Sequence, residues 1–484
     1  MKNTILIFNI LIISILCSCR KDKLLEDASV ELSFSQDSIL YDTVFTSVGS
    51  TTRYFRVLNT NNQKINIASI RLARGESSFF RLNVDGVSGK SFSNVEIPAN
   101  DSIYIFCEVT IDPNNSANPF IYQDSILFET NGNLQDVKLI AFGRNAYFHK
   151  PSTTIYFQNG GNFSYGVLNC NEVWNNDKPH VIYGYAVVDS ACNLTINAGT
   201  EIFIHQNGGL WVYRYGKIQV LGTETNPVLF RHDRLEAEYN DIPGQWDRIW
   251  INEGSTGNVI NHAIIKNSFI GIQASFAAFD GLNLPGATGT EPKKLKIYNT
   301  KIQNCSGIGL LGRYFTIEAG NNIISNCGQQ LAVLQYGGSY SFRHCTFANF
   351  WTTESRSVAS IALNNYTSAQ TLPIDSAWFE NCIIDGNNTE ELLYDTALTN
   401  NALNNVKFKN CILKTGFNLA SPYYQNVFQN ANSSFIDPSV FNFKLNPNSA
   451  AINAGTILPN FTLDIEGKPR SDGFPDLGAH EYAP

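Results

Sequence analysis

Methionine is nearly missing from this chain: the one Met among 484 residues opens it. Charged residues make up only 16% of the total and the net charge is -8, so no basic face is available. Phosphate backbones require such a face, and the charge therefore argues against nucleic acid as a partner. The seven histidines are scattered, at positions 149, 180, 205, 232, 262, 344 and 480, with no pair at metal-ligand spacing. That argues against a structural or catalytic zinc. No nucleophile elbow, phosphate loop or dinucleotide fingerprint occurs. Beyond Cys19 no long apolar run follows, so no membrane-spanning helix is expected there.

What the chain does have is a repeat. A polar residue, then Asn or Asn-Cys, then an apolar run recurs at Lys266-Asn267-Ser268, Gln303-Asn304-Cys305, Ser325-Asn326-Cys327, Arg343-His344-Cys345, Glu380-Asn381-Cys382 and Lys409-Asn410-Cys411. The spacing between the Asn or His positions is irregular, shortest from Asn326 to His344 and longest from Asn267 to Asn304 and from His344 to Asn381. Periods in the twenties with irregular insertions signify a solenoid in which one repeat forms one coil. Asn suits the turn between strands because it tolerates the left-handed conformation. Its amide can also bond the amide of the next coil, about 4.8 Å away. Asn267, Asn304, Asn326, His344, Asn381 and Asn410 are thus expected to form one structural ladder, side chains inward. The Cys that follows is small and apolar enough for the core.

The N-terminus carries Lys2, an apolar stretch from Ile5 to Leu16, and then Leu16-Cys17-Ser18-Cys19. A positive start followed by a short apolar run reads as an export signal over 1–19. Its end resembles a bacterial lipobox, and the resemblance implies that Cys19 is the lipid-attachment residue. Acyl chains would then anchor the protein to the outer membrane or cell surface. The charged residues Arg20 to Lys23 resemble the surface-export signals of Bacteroidetes lipoproteins, and residues 20–29 read as a tether.

From 30 to 147 the chain alternates apolar and polar residues, as in Ser102-Ile103-Tyr104-Ile105-Phe106 and Val137-Lys138-Leu139-Ile140-Ala141. Turn clusters separate such runs at the spacing of a seven-stranded β-sandwich. This stretch resembles immunoglobulin-like domains of the ASH type, but with Cys107 alone it has no intersheet disulfide. Residues 152–430 carry Leu194-Thr195-Ile196-Asn197-Ala198-Gly199-Thr200 and, further on, Ile218-Gln219-Val220-Leu221-Gly222-Thr223 and Asn226-Pro227-Val228. These resemble the opening coils of right-handed parallel β-helix surface proteins of the pectate-lyase-like superfamily. At about 25 residues per coil, about eleven coils are expected. Residues 431–484, with Asp464-Ile465-Glu466-Gly467 and Asp476-Leu477-Gly478-Ala479-His480-Glu481, resemble the C-terminal segment of choice-of-anchor β-helix proteins. A solenoid must cover its last coil, so this segment is expected to be a cap. The expected fold is all-β, a right-handed parallel β-helix preceded by a β-sandwich.

The densest polar cluster, Arg231 to Asp241 and on to Arg248, lies on an insertion between two strand signals, where a binding site would be built. β-Helix glycoside hydrolases use two or three carboxylates across a cleft. Uronate lyases use acids for Ca²⁺ and an Arg or Lys base, and Ca²⁺ would enter only in that case. Asp233, Glu236, Glu238, Asp241, Arg234 and Arg248 are the candidates for either role. A charge-balanced, solvated loop is the competing reading. The paired-Asp and Gly-His-Gly motifs of polygalacturonases are missing, and Gly244-Gln245-Trp246 to Trp250 resembles an element of noncatalytic β-helix proteins. Trp211, Tyr213, Tyr215, Trp246 and Trp250 are candidates for stacking on sugar rings. Among the cysteines, Cys170 and Cys192 are the candidate disulfide, while Cys305, Cys327, Cys345, Cys382 and Cys411 are expected as buried thiols, because stacked parallel side chains strain a bridge. The expected function is noncatalytic binding of a polysaccharide or surface protein, with no cofactor; a polysaccharide lyase or glycoside hydrolase, and a structural stalk or adhesin, are the alternatives.

Overall fold

The computed structural model describes residues 23–113, 120–158, 160–276, 294–367, 371–396, 405–471 and 473–483. Cys19 and the expected export signal lie outside these residues. The chain divides into two units at Asn145/Ala146.

In the first unit, alternation does what it should. Along Asp101–Val109 the residues Ile103, Ile105, Cys107 and Val109 are buried, while Tyr104 and Phe106 face water. One five-stranded sheet runs Ser33–Phe34, Arg53–Asn59, Asp101–Val109, Phe80–Val84, Val87–Gly89. The other runs Ser38–Phe45, Asn133–Arg144, Phe120–Thr130, Ile65–Leu72, Ser91–Ile97. Phe55, Val57, Ile67, Phe128 and Leu139 fill the space between them. Cys107 is buried and unbridged.

The second unit is a parallel β-helix. Its described strands fall into a 19-stranded sheet, through which two rows run, a ten-stranded sheet, and a two-stranded antiparallel pair, Phe435–Asp437 with Asn442–Leu445, in the C-terminal segment. One coil shows the plan: Thr316–Gly320, then Ile323–Ser325, then Ala332–Gln335, each paired in parallel with its equivalent one coil on. The three rows are called a, b and c below, in that order. Eight three-stranded coils run from Val173 to Asp395 among the described residues. The expected eleven is corrected because long insertions between rows, such as those between His232 and Ile249 and between Asn349 and Ile361, lengthen individual coils. Inward positions repeat at the coil spacing, so like side chains touch. Phe342, Phe379 and Phe408 stack with centroids 4.9 and 4.6 Å apart and planes within 15° and 8°.

At the start of the solenoid, Trp174 is fully buried and stacks on His149 (4.5 Å) and His180 (4.4 Å), with His149 Nε2 and His180 Nδ1 2.9 Å apart. A cleft of about 490 Å³ opens beside these rings. Cys170 and Cys192 are joined by a disulfide across the first turns of the unit.

The expected single Asn ladder is corrected to two. His344, Asn381 and Asn410 sit at the turn from row a to row b, in register with Asn299 and Asn321 before them and Asn426 after. Asn267, Asn304 and Asn326 sit at the other end of row b, where the chain leaves for row c. All six are left-handed, with φ between 48° and 66°. The short interval from Asn326 to His344 is a step from one edge to the other, not a coil. The five thiols divide in the same way, Cys305 with Cys327 and Cys345 with Cys382 and Cys411, all buried and free.

The amides do not point into the core, as expected, but lie between the coil and whatever covers it. Asn304 Nδ2 gives one bond along the stack to Asn267 Oδ1 (2.8 Å) and one to Asp241 O (2.8 Å). Asn321 bonds Asn299 (3.2 Å) and Leu463 O (2.9 Å), and Asn381 bonds His344 (2.9 Å) and Thr456 O (2.7 Å). In these three residues one N–H holds the ladder and the other holds a covering segment, so the buried amide donates twice.

That second role corrects the expected cap. The C-terminal segment runs along the side of the solenoid rather than over its last coil. Phe443, Ile465 and Ala479 pack on Ile323 and Ala348, while Leu445, Ala451 and Leu477 pack on Ile383 and Ile412. These are the outward residues of row b, and their neighbours Ile324, Phe347, Ile384 and Leu413 belong to the inner core. Row b is thus apolar on both faces in its later coils and needs a cover. Arg470, buried, clamps the cover by donating to Glu481 Oε2 (2.7 Å) and to the carbonyls of Asp476 (3.3 Å) and Gly478 (2.9 Å).

Candidate functional site

The polar insertion between His232 and Ile249 folds down onto the turn ladder instead of standing free. Asn267 Nδ2 donates to Asn240 O (2.7 Å), Asn304 Nδ2 to Asp241 O, and Lys266 Nζ to Asp241 Oδ1 (3.1 Å). Trp246 is buried in the solenoid core, its Nε1 donating to Lys266 O (2.9 Å), and so is unavailable to a sugar. The acids do not converge. Asp233 bonds His205 (2.7 Å), and this bond holds the His205 pKa above its usual value. Glu236 receives both Nε and Nη2 of Arg234 at 3.2 Å, and the same guanidinium lies 3.9 Å from the centre of the Tyr239 ring. Glu238 and Asp241 are exposed. The loop is mainly a set of neutralised pairs.

Arg248 belongs to a different surface, the outward face of row c. Rows register Val187, Trp211, Trp250 and Gln273 one above another. At one coil spacing the two indoles meet face to face, with centroids 4.9 Å apart and planes 11° apart. Each ring is pinned by its N–H, Trp211 Nε1 on Asn252 Oδ1 (2.7 Å) and Trp250 Nε1 on Ser275 Oγ (2.9 Å). Tyr213 and Phe163 meet Trp211 edge-on at 5.2 and 5.7 Å, and Phe163 lies 4.8 Å from Tyr185. Beside the rings runs a polar chain: Tyr185 donates to Asp247, Arg248 Nε to Asp247 Oδ1 (2.9 Å), and Arg248 Nη1 to Gln273. Burial, then the Asp247 charge, pushes the Tyr185 pKa up, so its phenol stays a donor.

Of the aromatics singled out in the sequence, Trp211, Tyr213 and Trp250 share this face, Trp246 does not, and Tyr215 is an exposed ring beside Arg214. Phe163, Tyr185 and Gln273 were missed. The alternation Phe163-Ser164-Tyr165 was the available signal for the first of them; nothing local marks the other two.

No protein-family model and no curated protein sequence matches the chain. Among solved structures, a family 123 glycoside hydrolase from Clostridium perfringens is similar at 9% identity over 25% of this chain, with a TM-score of 0.17; this chain spans about a third (31%) of that one. The catalytic domain of a GH87 alpha-1,3-glucanase in complex with nigerose is similar at 13% identity over 76% of this chain and 81% of its own, with a TM-score of 0.16. The same kind of domain in complex with tetrasaccharides is similar at 12% identity over 79% and 87%, with a TM-score of 0.17.

Proposed function

We propose that this chain is a noncatalytic glycan-binding protein of the cell envelope, held to a membrane by acyl chains on Cys19, with the outward face of row c as its binding surface. The observation that carries the reading is the Trp211–Trp250 stack. Two indoles whose N–H groups are already engaged present a rigid apolar platform, and Arg248 and Asp247 beside it supply hydrogen-bonding groups for sugar hydroxyls, with Gln273 buried behind them to hold Arg248 in place. The distribution of carboxylates supports a noncatalytic role. A glycosidase holds its two acids across a cleft, whereas Asp233, Glu236 and Asp247 each sit against a cation or imidazole.

Trp211→Ala/Trp250→Ala is expected to weaken binding to polysaccharides retained by the wild type about tenfold or more, as read by affinity electrophoresis. Equal retention of the two proteins would remove the platform from the reading. A depolymerising activity that disappears in Asp233→Ala or Glu236→Ala, measured by reducing ends or unsaturated uronate, would replace it with the hydrolase or lyase alternative. The anchor is tested separately: fatty-acid labelling is expected to vanish in Cys19→Ala, and persistence of the label would refute lipidation there.

A further inference from the structure

The sandwich unit carries a second aromatic surface that the solenoid reading does not use. Tyr54, Tyr104 and Phe106 are 56%, 44% and 39% exposed, all on the outward face of one sheet. Tyr54 and Phe106 are direct cross-strand partners with rings 5.8 Å apart; Tyr104 lies 5.8 Å from Tyr54 and 6.2 Å from Phe106, its plane within 22° of the latter. Cross-strand aromatic pairs stabilise sheets, but rings serving only that end gain more by being covered. Three contiguous rings facing water form a patch of the kind that marks a binding surface.

The surroundings say what the patch takes. Phe106 continues into a cleft of about 1000 Å³ lined also by Arg81, Asn83, Ser88, Lys90 and Glu108. Asn83 pairs in register with Phe106 and donates to Ser88 Oγ (3.2 Å), and Arg81 faces Glu108 at 3.7 Å with both side chains largely in water. Two cations, Arg81 and Lys90, stand against two anions, Glu76 and Glu108, so the cleft carries no net charge. We infer that this face binds a neutral polysaccharide chain. Pyranose rings would lie on the aromatic strip through their C–H faces, and their hydroxyls would reach the amide, guanidinium and carboxylate of the cleft. The charge balance argues against a uronate polymer, and the hydroxyl-bonding groups at the rim argue against an apolar protein partner.

The inference stands apart from the Trp211–Trp250 reading, and one experiment separates them. The full chain is run through gels containing soluble neutral glucan, mannan or xylan, together with Tyr54→Ala/Phe106→Ala, Tyr54→Phe and Trp211→Ala/Trp250→Ala. Tyr54→Ala/Phe106→Ala is expected to lose about tenfold in affinity while still unfolding cooperatively with only a small downward shift from the lost cross-strand pair, and Tyr54→Phe, which keeps the ring, is expected to stay within about twofold of wild type. Three results would overturn the site: no retention of the wild type by any neutral polysaccharide, complete loss in Trp211→Ala/Trp250→Ala alone, or a change in sedimentation rather than retention in Tyr54→Ala/Phe106→Ala. Loss confined to Tyr54→Ala/Phe106→Ala would uphold it and remove the solenoid platform instead.

Discussion

Glu391→Ala is expected to destabilise the solenoid by about 3–5 kcal/mol. Its side chain is fully buried and that of Arg356 is 2% exposed. The carboxylate accepts from Arg356 Nη1 (2.8 Å), Ser360 N (2.9 Å), Ser360 Oγ (2.7 Å) and Asn388 N (2.9 Å), and from Arg356 Nη2 as well. Arg356 in turn donates to Asn349 O (3.2 Å) and Val358 O. The pair locks the insertion between Asn349 and Ile361 to the equivalent turn of the next coil. Removing one partner strands a charge away from water, and this loss, rather than the attraction, is the large term. Arg356→Met/Glu391→Leu should therefore be less damaging than Glu391→Ala alone. Calorimetry on the three proteins checks the order, and a single substitution milder than the double would show that the site admits water.

Acid is expected to unfold the chain well before its carboxylates are titrated. Burial, first among the causes in each case, depresses His149 to about 4, His180 to about 3, His232 to about 4 and His480 to about 3, all below the usual 6.5. The His149–His180 stack at the start of the solenoid, the inner end of the polar insertion and the C-terminal cover all hold their imidazoles neutral. On unfolding these groups take up protons, so from about pH 6.5 down to about 4 the unfolded chain binds more protons than the folded one, and stability falls as pH falls. Four such groups give a slope on the order of 3–5 kcal/mol per pH unit near pH 5. His205, whose pKa is raised by Asp233, works in the opposite direction and returns a small part. Melting temperatures at pH 7, 6 and 5 read the effect directly. A flat or rising profile would mean that these rings are hydrated.

Much of the architecture was legible because it depends on short-range physics. Alternation with period two marks the sandwich strands, and the left-handed preference of Asn marks the turns of the solenoid wherever it occurs, as at Asn304 and Asn381. Loop acids such as Asp233 and Glu236 could be identified as candidates, but not as largely buried members of neutralised pairs, since His205 comes from the preceding coil.

What only the tertiary structure decided are properties summed over many coils. A left-handed Asn looks the same at either end of row b, and its edge is set by the accumulated lengths of all the insertions before it, so one apparent ladder resolves into two. The C-terminal segment has the composition of a cover. Which surface it covers depends on where doubled apolar residues such as Ile323-Ile324 and Ile383-Ile384 leave an outward row without solvent-compatible side chains. Trp211 and Trp250, far apart in the chain, become a stacked platform only because an insertion between them leaves their strands in register one coil spacing apart. By itself the sequence determines which residues turn, which alternate and which are apolar. The register between coils determines which of them meet, because parallel pairing transmits each insertion's length to every strand that follows.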